Sequence, residues 1–177
     1  TGGGGFVGAN LVKVLESGIN GAEPVVLDDL SSGFRENLVE TSARFVEGSI
    51  LDAELLAQAM DGCSAVVHLA ARASVPRSIE DPSATHEVNA SGTVRVLEAC
   101  RETGVGQVIV ASSSSVYGRT ETMPKREDLP TRPMSPYAAS KLASESYALA
   151  WGSSYDLPVL AFRFFNIYGP LQPPRHT

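Results

Sequence analysis

Five short runs rich in branched apolar residues alternate with helical patterns along the chain: 24–28 (PVVLD), 43–49 (ARFVEGS), 64–71 (SAVVHLAA), 107–115 (QVIVASSSS) and 158–166 (PVLAFRFFN). The clearest of them, 64–71, is apolar at successive positions, the mark of a strand covered on both faces. Helices are read over Phe6–Glu16, Asp52–Gly62, Asp81–Gly104 and Ser135–Tyr155. Phe6, Leu11, Val14 and Leu15 make one stripe, with Gly18 just past the end. Alternation of this kind predicts an α/β fold, a doubly wound parallel sheet with helices on both faces. "SSG" (31–33) is loop. Residues 120–136 hold four of the eleven prolines and read as an excursion at the carboxyl edge of the sheet, where open α/β sheets place their sites. The tail from Gly169 is read as irregular.

The 177 residues suit one domain. A net charge of −6 argues against a nucleic-acid or anionic-membrane partner. It leaves room for an anionic ligand held locally at a helix N-terminus. No apolar run approaches the roughly 20 residues that cross a bilayer, and no signal peptide is visible. Cys63 and Cys100 match no metal spacing, so no metal is expected and both read as buried small hydrophobes in a reducing, cytoplasmic compartment.

The chain opens on TGGGGFVG, in which Gly2, Gly5 and Gly8 are spaced three apart. A dinucleotide turn needs a positive φ, a backbone that a pyrophosphate can approach, and a small residue where helix meets strand. The spacing alone also fits a flexible leader. Asp28 shifts the balance: it ends the next strand about 20 residues after the last glycine, where an acid meets ribose hydroxyls. A carboxylate there repels a 2′-phosphate, which favours NAD over NADP. A capping role for Asp28, and a slip of one to Asp29, stay open.

Tyr137 and Lys141 lie four apart and share a helix face. An ammonium beside a phenol lowers its pKa from about 10 and lets it work as a base. Ser112 to Ser115 supply hydroxyls for a substrate oxygen. By itself the pair is more often a solvated one than a catalytic one; behind a glycine turn and an acid-tipped strand it reads as catalytic.

The pieces TGGGGFVG, VVLDDLSSG, VVHLAARASVPRS, NASGTVRVLEAC, ASSSSVYG, SPYAASK and RFFNIYGP, in this order, resemble the extended short-chain dehydrogenase/reductases, the nucleotide-sugar epimerases and dehydratases. The resemblance implies a Rossmann-like fold and bound NAD. Gly2, Gly5 and Gly8, with the amides of Phe6 and Val7, match the pyrophosphate turn, while Gly3 and Gly4 read as incidental. Asp28 matches the ribose position, with Leu30, Ser31 and Ser32 beside it. Ser49 and Ile50 match the pair near adenine. Leu69, Ala70, Ala71 and Ala73 match the strand end under the cofactor, and Asn89 matches the asparagine that organises the long helix. Tyr137 is the implied base, Lys141 its partner on the nicotinamide ribose, and Ser113 the catalytic hydroxyl, with Ser114 assisting. Phe164 and Asn166 match positions near the nicotinamide and the substrate diphosphate. Arg77 meets a diphosphate or carboxylate, or else makes a surface salt bridge. Arg163 is read as structural.

Dehydratases of this family carry Thr-Asp-Glu where Ser113, Ser114 and Ser115 stand, and uronate decarboxylases a Glu at Ser115. The serine run is similar to that of the 4-epimerases, and SVPRSIEDP looks like those acting on UDP-N-acetylhexosamines. The expected activity is NAD-dependent 4-epimerisation of a UDP-hexose. Alternatives are a UDP-glucuronate 4-epimerase or decarboxylase, another nucleotide-sugar dehydratase, or a non-catalytic NAD-binding sensor or scaffold. A homodimer through the 81–104 and 135–155 helices is expected. Residues 1–177 are expected to be one NAD-binding domain lacking its first strand and a small C-terminal substrate lobe.

Overall fold

A computed structural model describes residues 1–18 and 21–172. The last part of the tail, 173–177, lies outside the described residues. Helix α1 (Phe6–Gly18) follows the glycines directly, and Gly18 is its last residue rather than the one beyond it. Then come β1 (Val25–Asp28), β2 (Arg44–Glu47), α2 (Ala53–Met60), β3 (Ala65–His68), α3 (Val75–Glu80), α4 (Pro82–His86), α5 (Gly92–Glu102), β4 (Gln107–Ser113), α6 (Pro136–Tyr155) and β5 (Val159–Phe164). All strand pairs are parallel, and helices pack on both sides of the strands.

The expected single sheet is two hydrogen-bonded pieces among the described residues, β1–β2 and β3–β4–β5. Thr1 and Gly2 lie between them. Leu69 N donates to Thr1 O at 3.1 Å on one side, and Gly2 N donates to Leu27 O at 2.9 Å on the other. Behind this bridge a groove of about 750 Å³ runs between β1 and β3, lined by Val25, Val26, Leu27, Ala65, Val66 and Val67. Ala65 is exposed there, so β3 is not covered along its whole length.

Helix starts follow the capping pattern. Asp52, Ser74, Asp81 and Ser135 each accept a backbone N–H three residues on, and prolines stand in the first turns of α3, α4 and α6. The long helix read over 81–104 is interrupted: α4 passes into α5 through a π-helical turn at Glu87–Ser91. There the carbonyl of Asn89 accepts hydroxyl protons from Thr93 (2.6 Å) and Ser144 (2.7 Å) instead of serving only the helix ladder. Helix α3 and a 3₁₀ turn at Arg35–Leu38 are additions to the sequence reading. The core joins Leu56, Val96, Leu97, Val108 and Val110 between α2, α5 and the sheet. Cys100 is buried against Met60, while Cys63 is only partly buried.

Candidate active site

The glycine turn is held from both ends. Gly2 has φ +75°, and a Cβ there would stand 2.5 Å from Ala70 N. A Cβ on Gly8 would stand 2.3 Å from Gly2 O, so the start of α1 packs directly on the turn. Gly3 is not incidental: its Cβ would stand 2.5 Å from a methyl of Val26. Gly5 differs, since a Cβ there meets only Gly2 O at 3.4 Å. Its side of the turn is open, next to the N–H groups of Phe6 and Val7 at the helix start.

Asp28, not Asp29, is joined to this turn. Its Oδ2 accepts from Gly4 N and its Oδ1 from Leu30 N, both at 2.9 Å, and the side chain is buried. Asp29 is exposed and accepts from Ser31 N. Leu30 takes a left-handed φ of +57°, which turns the chain out toward exposed Ser31 and Ser32. Ser49 caps its own turn, accepting from Leu51 N at 3.1 Å. The side chain of Ile50 is in the core, so only its backbone can face a ligand.

At the carboxyl end of β3, Leu69, Ala70 and Ala71 are partly buried and Ala73 is exposed. Asn89 clamps the following loop, accepting from Arg72 N at 2.8 Å and donating to Arg72 O at 3.4 Å and Ser140 Oγ at 2.9 Å. Ser140 Oγ in turn donates to the carbonyl of Tyr137 at 2.8 Å. Sequence reasoning passed over His68, which is buried in the same region. It lies between Thr1 Oγ1 (2.8 Å from Nδ1) and Thr93 Oγ1 (3.0 Å from Nε2). The Thr93 proton goes to Asn89 O, so Nε2 carries the imidazole proton. Burial, reinforced by the Lys141 charge, holds the His68 pKa well below its usual value. A histidine inside an otherwise apolar strand run was the signal for it.

Helix α6 brings Tyr137 and Lys141 to the tip of β4. Lys141 is 5% exposed, and burial lowers its pKa to about 8. Tyr137 departs from expectation. Its phenol is raised, not lowered: burial dominates, and the neighbouring Ser113 hydroxyl only partly offsets it. Ser113 Oγ accepts from Ser115 N (3.2 Å) and Ser115 Oγ (2.8 Å). With its acceptor positions taken, its own proton is the one left to donate. Ser114 and Ser115 are also partly buried, so this tip offers hydroxyls where carboxylates would be needed to expel water.

Deeper along the same helix face, Glu145 Oε2 accepts from Ser112 Oγ at 2.6 Å, and Arg163 Nη2 donates to Glu145 Oε1 at 2.7 Å. Sequence reasoning passed over Glu145 too; its signal was the four-residue spacing from Lys141, which puts Glu145 on the same buried helix face, opposite the one charge in the apolar strand run 158–166. Phe164 stacks on Phe162 with centroids 5.6 Å apart, and Asn166 is exposed just beyond β5. Arg77 is exposed on α3, and among the described residues no carboxylate lies within salt-bridge distance of it.

A sequence model described as "NAD dependent epimerase/dehydratase family" matches residues 1–177. A UDP-glucose 4-epimerase of Mycolicibacterium smegmatis is 44% identical over 180 residues, covering 98% of this chain and 57% of the relative. Among solved structures, UDP-glucose 4-epimerase of Thermotoga maritima with UDP-glucose superposes with TM-score 0.93 at 35% identity, over 98% of this chain and 57% of that one. A dTDP-glucose 4,6-dehydratase of Streptomyces venezuelae with NAD bound superposes with TM-score 0.92 at 40% identity, over 97% and 56%. The chain spans about half the length of the curated relatives it matches.

Proposed function

The chain belongs to the NAD-dependent epimerase/dehydratase family, and on that premise we propose that it forms the cofactor-binding half of an NAD-dependent UDP-hexose 4-epimerase. The observation that carries this reading is the tip of β4. Ser113, Ser114 and Ser115 set hydroxyls beside Tyr137, with Lys141 buried one helical turn away. This arrangement can move a proton on and off a sugar hydroxyl, but it offers no acid–base pair for dehydration.

The glycine turn fits NAD. The open side of Gly5 and the first N–H groups of α1 suit a pyrophosphate. The Asp28 oxygens that already accept from Gly4 and Leu30 keep further lone pairs for ribose hydroxyls. Leu69, Ala70, Ala71 and Phe164 would line the cofactor, and Arg77, Ser114 and Asn166 would meet the UDP-sugar. NAD bound there would accept a hydride from C4 and return it to the opposite face.

The protein's own part is the proton. Tyr137 removes it from the C4 hydroxyl, Ser113 donates to the same oxygen, and Lys141 supplies the positive charge that favours phenolate. Burial raises the phenol in the chain alone and the Ser113 hydroxyl offsets only part of that, so the charge around Tyr137 must supply the rest for it to act as a base.

The two parallel edges facing the β1–β3 groove support one further central strand in the complete protein, and a sugar-binding lobe would come from sequence outside this half. A homodimer would pair the 81–104 and 135–155 segments, where Tyr147 and Leu149 stand exposed on α6. The free cysteines fit a reducing cytoplasm, and among the described residues no helix is long and apolar enough to cross a membrane.

The test incubates the full-length protein with UDP-glucose, UDP-N-acetylglucosamine and UDP-glucuronate and follows the configuration at C4. Inversion of a UDP-hexose, abolished in Tyr137→Phe, is expected. NAD binding without turnover of any of them would leave the sensor or scaffold reading in its place.

A further inference from the structure

Glu145 sits eight residues after Tyr137 on α6, and both face the sheet. The residue is 6% exposed, and its carboxylate joins three elements. Ser112 Oγ on β4 donates to Oε2 at 2.6 Å. From β5, Arg163 Nε donates to both oxygens at 3.1 Å and Nη2 to Oε1 at 2.7 Å. Ser112 and Arg163 are register partners in the β4–β5 ladder, so Glu145 reaches across adjacent strands at one level.

The rest of the guanidinium is also engaged. Nη1 donates to Glu127 O, in the proline-rich loop that leads into α6, at 3.2 Å. The Arg163 Cζ lies 4.8 Å from the centroid of the Tyr117 ring, two residues after the serine run. One ion pair thus touches the helix that carries Tyr137, the strand that carries Ser113, the turn after it and the loop before the helix.

We propose that Glu145, braced by Arg163, is a positioning residue that fixes the spacing between Ser113 on β4 and Tyr137 on α6. The proposal rests on the epimerase reading for its rate consequences, but not for its geometry. The pair is more than a fastener of helix to sheet because its third partner, Ser112, is the residue next to Ser113. Moving Glu145 moves the strand tip relative to the helix. A shift of about 1 Å between reacting groups costs up to about a hundredfold in rate while leaving ground-state binding intact.

Two variants of the full-length protein test it. Ser112→Ala cuts only the link to β4, and Glu145→Gln keeps the side-chain shape and removes the charge. In both, kcat is expected to fall about tenfold or more with KM within about twofold of wild type. An ultraviolet titration of tyrosinate, with the matching Tyr137→Phe protein subtracted, is expected to show the Tyr137 phenol displaced upward as its Ser113 contact loosens. Either an unmoved Tyr137 titration or a kcat within about twofold of wild type in both variants overturns the proposal. Should the wild type invert no UDP-hexose, the epimerase reading fails and the Tyr137 titration alone decides whether the strut positions the phenol.

Discussion

The backbone N–H of Gly4 donates to the carboxylate of Asp28 at 2.9 Å. The glycine turn and the acid at the strand tip are therefore one hydrogen-bonded unit, and Asp28 holds the turn in place in addition to the ribose contact proposed for it. Asp28→Asn keeps one carbonyl oxygen for two amide donors, so either Gly4 N or Leu30 N loses its partner. The expected cost is about 1–3 kcal/mol of stability, together with weaker NAD binding. Denaturant unfolding and calorimetric titration with NAD measure the two effects on the same sample.

Gly5 and Gly8 separate packing from ligand access. Gly8→Ala drives a methyl to 2.3 Å from Gly2 O and 2.6 Å from Gly3 Cα, both backbone atoms with little room to give. That variant is expected to lose about 2 kcal/mol or more and its NAD binding with it. Gly5→Ala meets only one atom, at 3.4 Å. Its stability is expected to stay within about 0.5 kcal/mol of wild type while NAD affinity falls about tenfold or more, because the methyl fills the open side of the turn. A Gly5→Ala protein that binds NAD normally would remove the pyrophosphate from that side.

Much of this was legible in sequence because the signals are local. Asp52, Asp81 and Ser135 announce helix starts by their own side chains, whereas α3, which starts at Ser74 and Pro76 and has only six residues, was passed over. The three-residue spacing of glycines and the four-residue spacing of Tyr137 and Lys141 survive translation into structure. Contacts between distant residues were not legible. Gly3 matters because of Val26, which lies 23 residues on. The π turn at Glu87–Ser91 forms where the Thr93 and Ser144 hydroxyls meet one carbonyl, and Ser144 belongs to a helix 55 residues away. The raised Tyr137 phenol follows from burial, a tertiary property no spacing encodes.

His68 sets an acid limit. It is buried and neutral, with its pKa held well below 6.5 mainly by desolvation. Below pH 6.5 the unfolded chain takes up a proton that the folded chain refuses, so the unfolded state binds more protons and stability falls as pH falls. The slope contributed is at most about 1.4 kcal/mol per pH unit. His68→Asn is expected to show a shallower loss of unfolding free energy between pH 6.5 and 5 than wild type, whatever its stability at pH 7. Equal slopes would mean that His68 is already charged in the fold.

Lys141 sets the opposite kind of balance, stability given up for a charge kept inside the fold. Burial lowers its pKa from 10.5 to about 8. Below pH 8 the lysine is protonated in both states, and the folded protein bears the full cost of a buried ammonium, about 3 kcal/mol for a shift of this size. Between pH 8 and 10.5 the unfolded chain holds more protons than the folded one, so this contribution to stability rises with pH and the penalty disappears. Lys141→Met removes the charge and keeps the stem. It is expected to unfold at higher denaturant than wild type at pH 7, with the difference shrinking toward pH 10.5. The same variant is expected to lose C4 inversion, because the phenol of Tyr137 is then raised by burial with no cation to oppose it. A Lys141→Met protein less stable than wild type at pH 7 would mean that the ammonium is already paired in the folded chain.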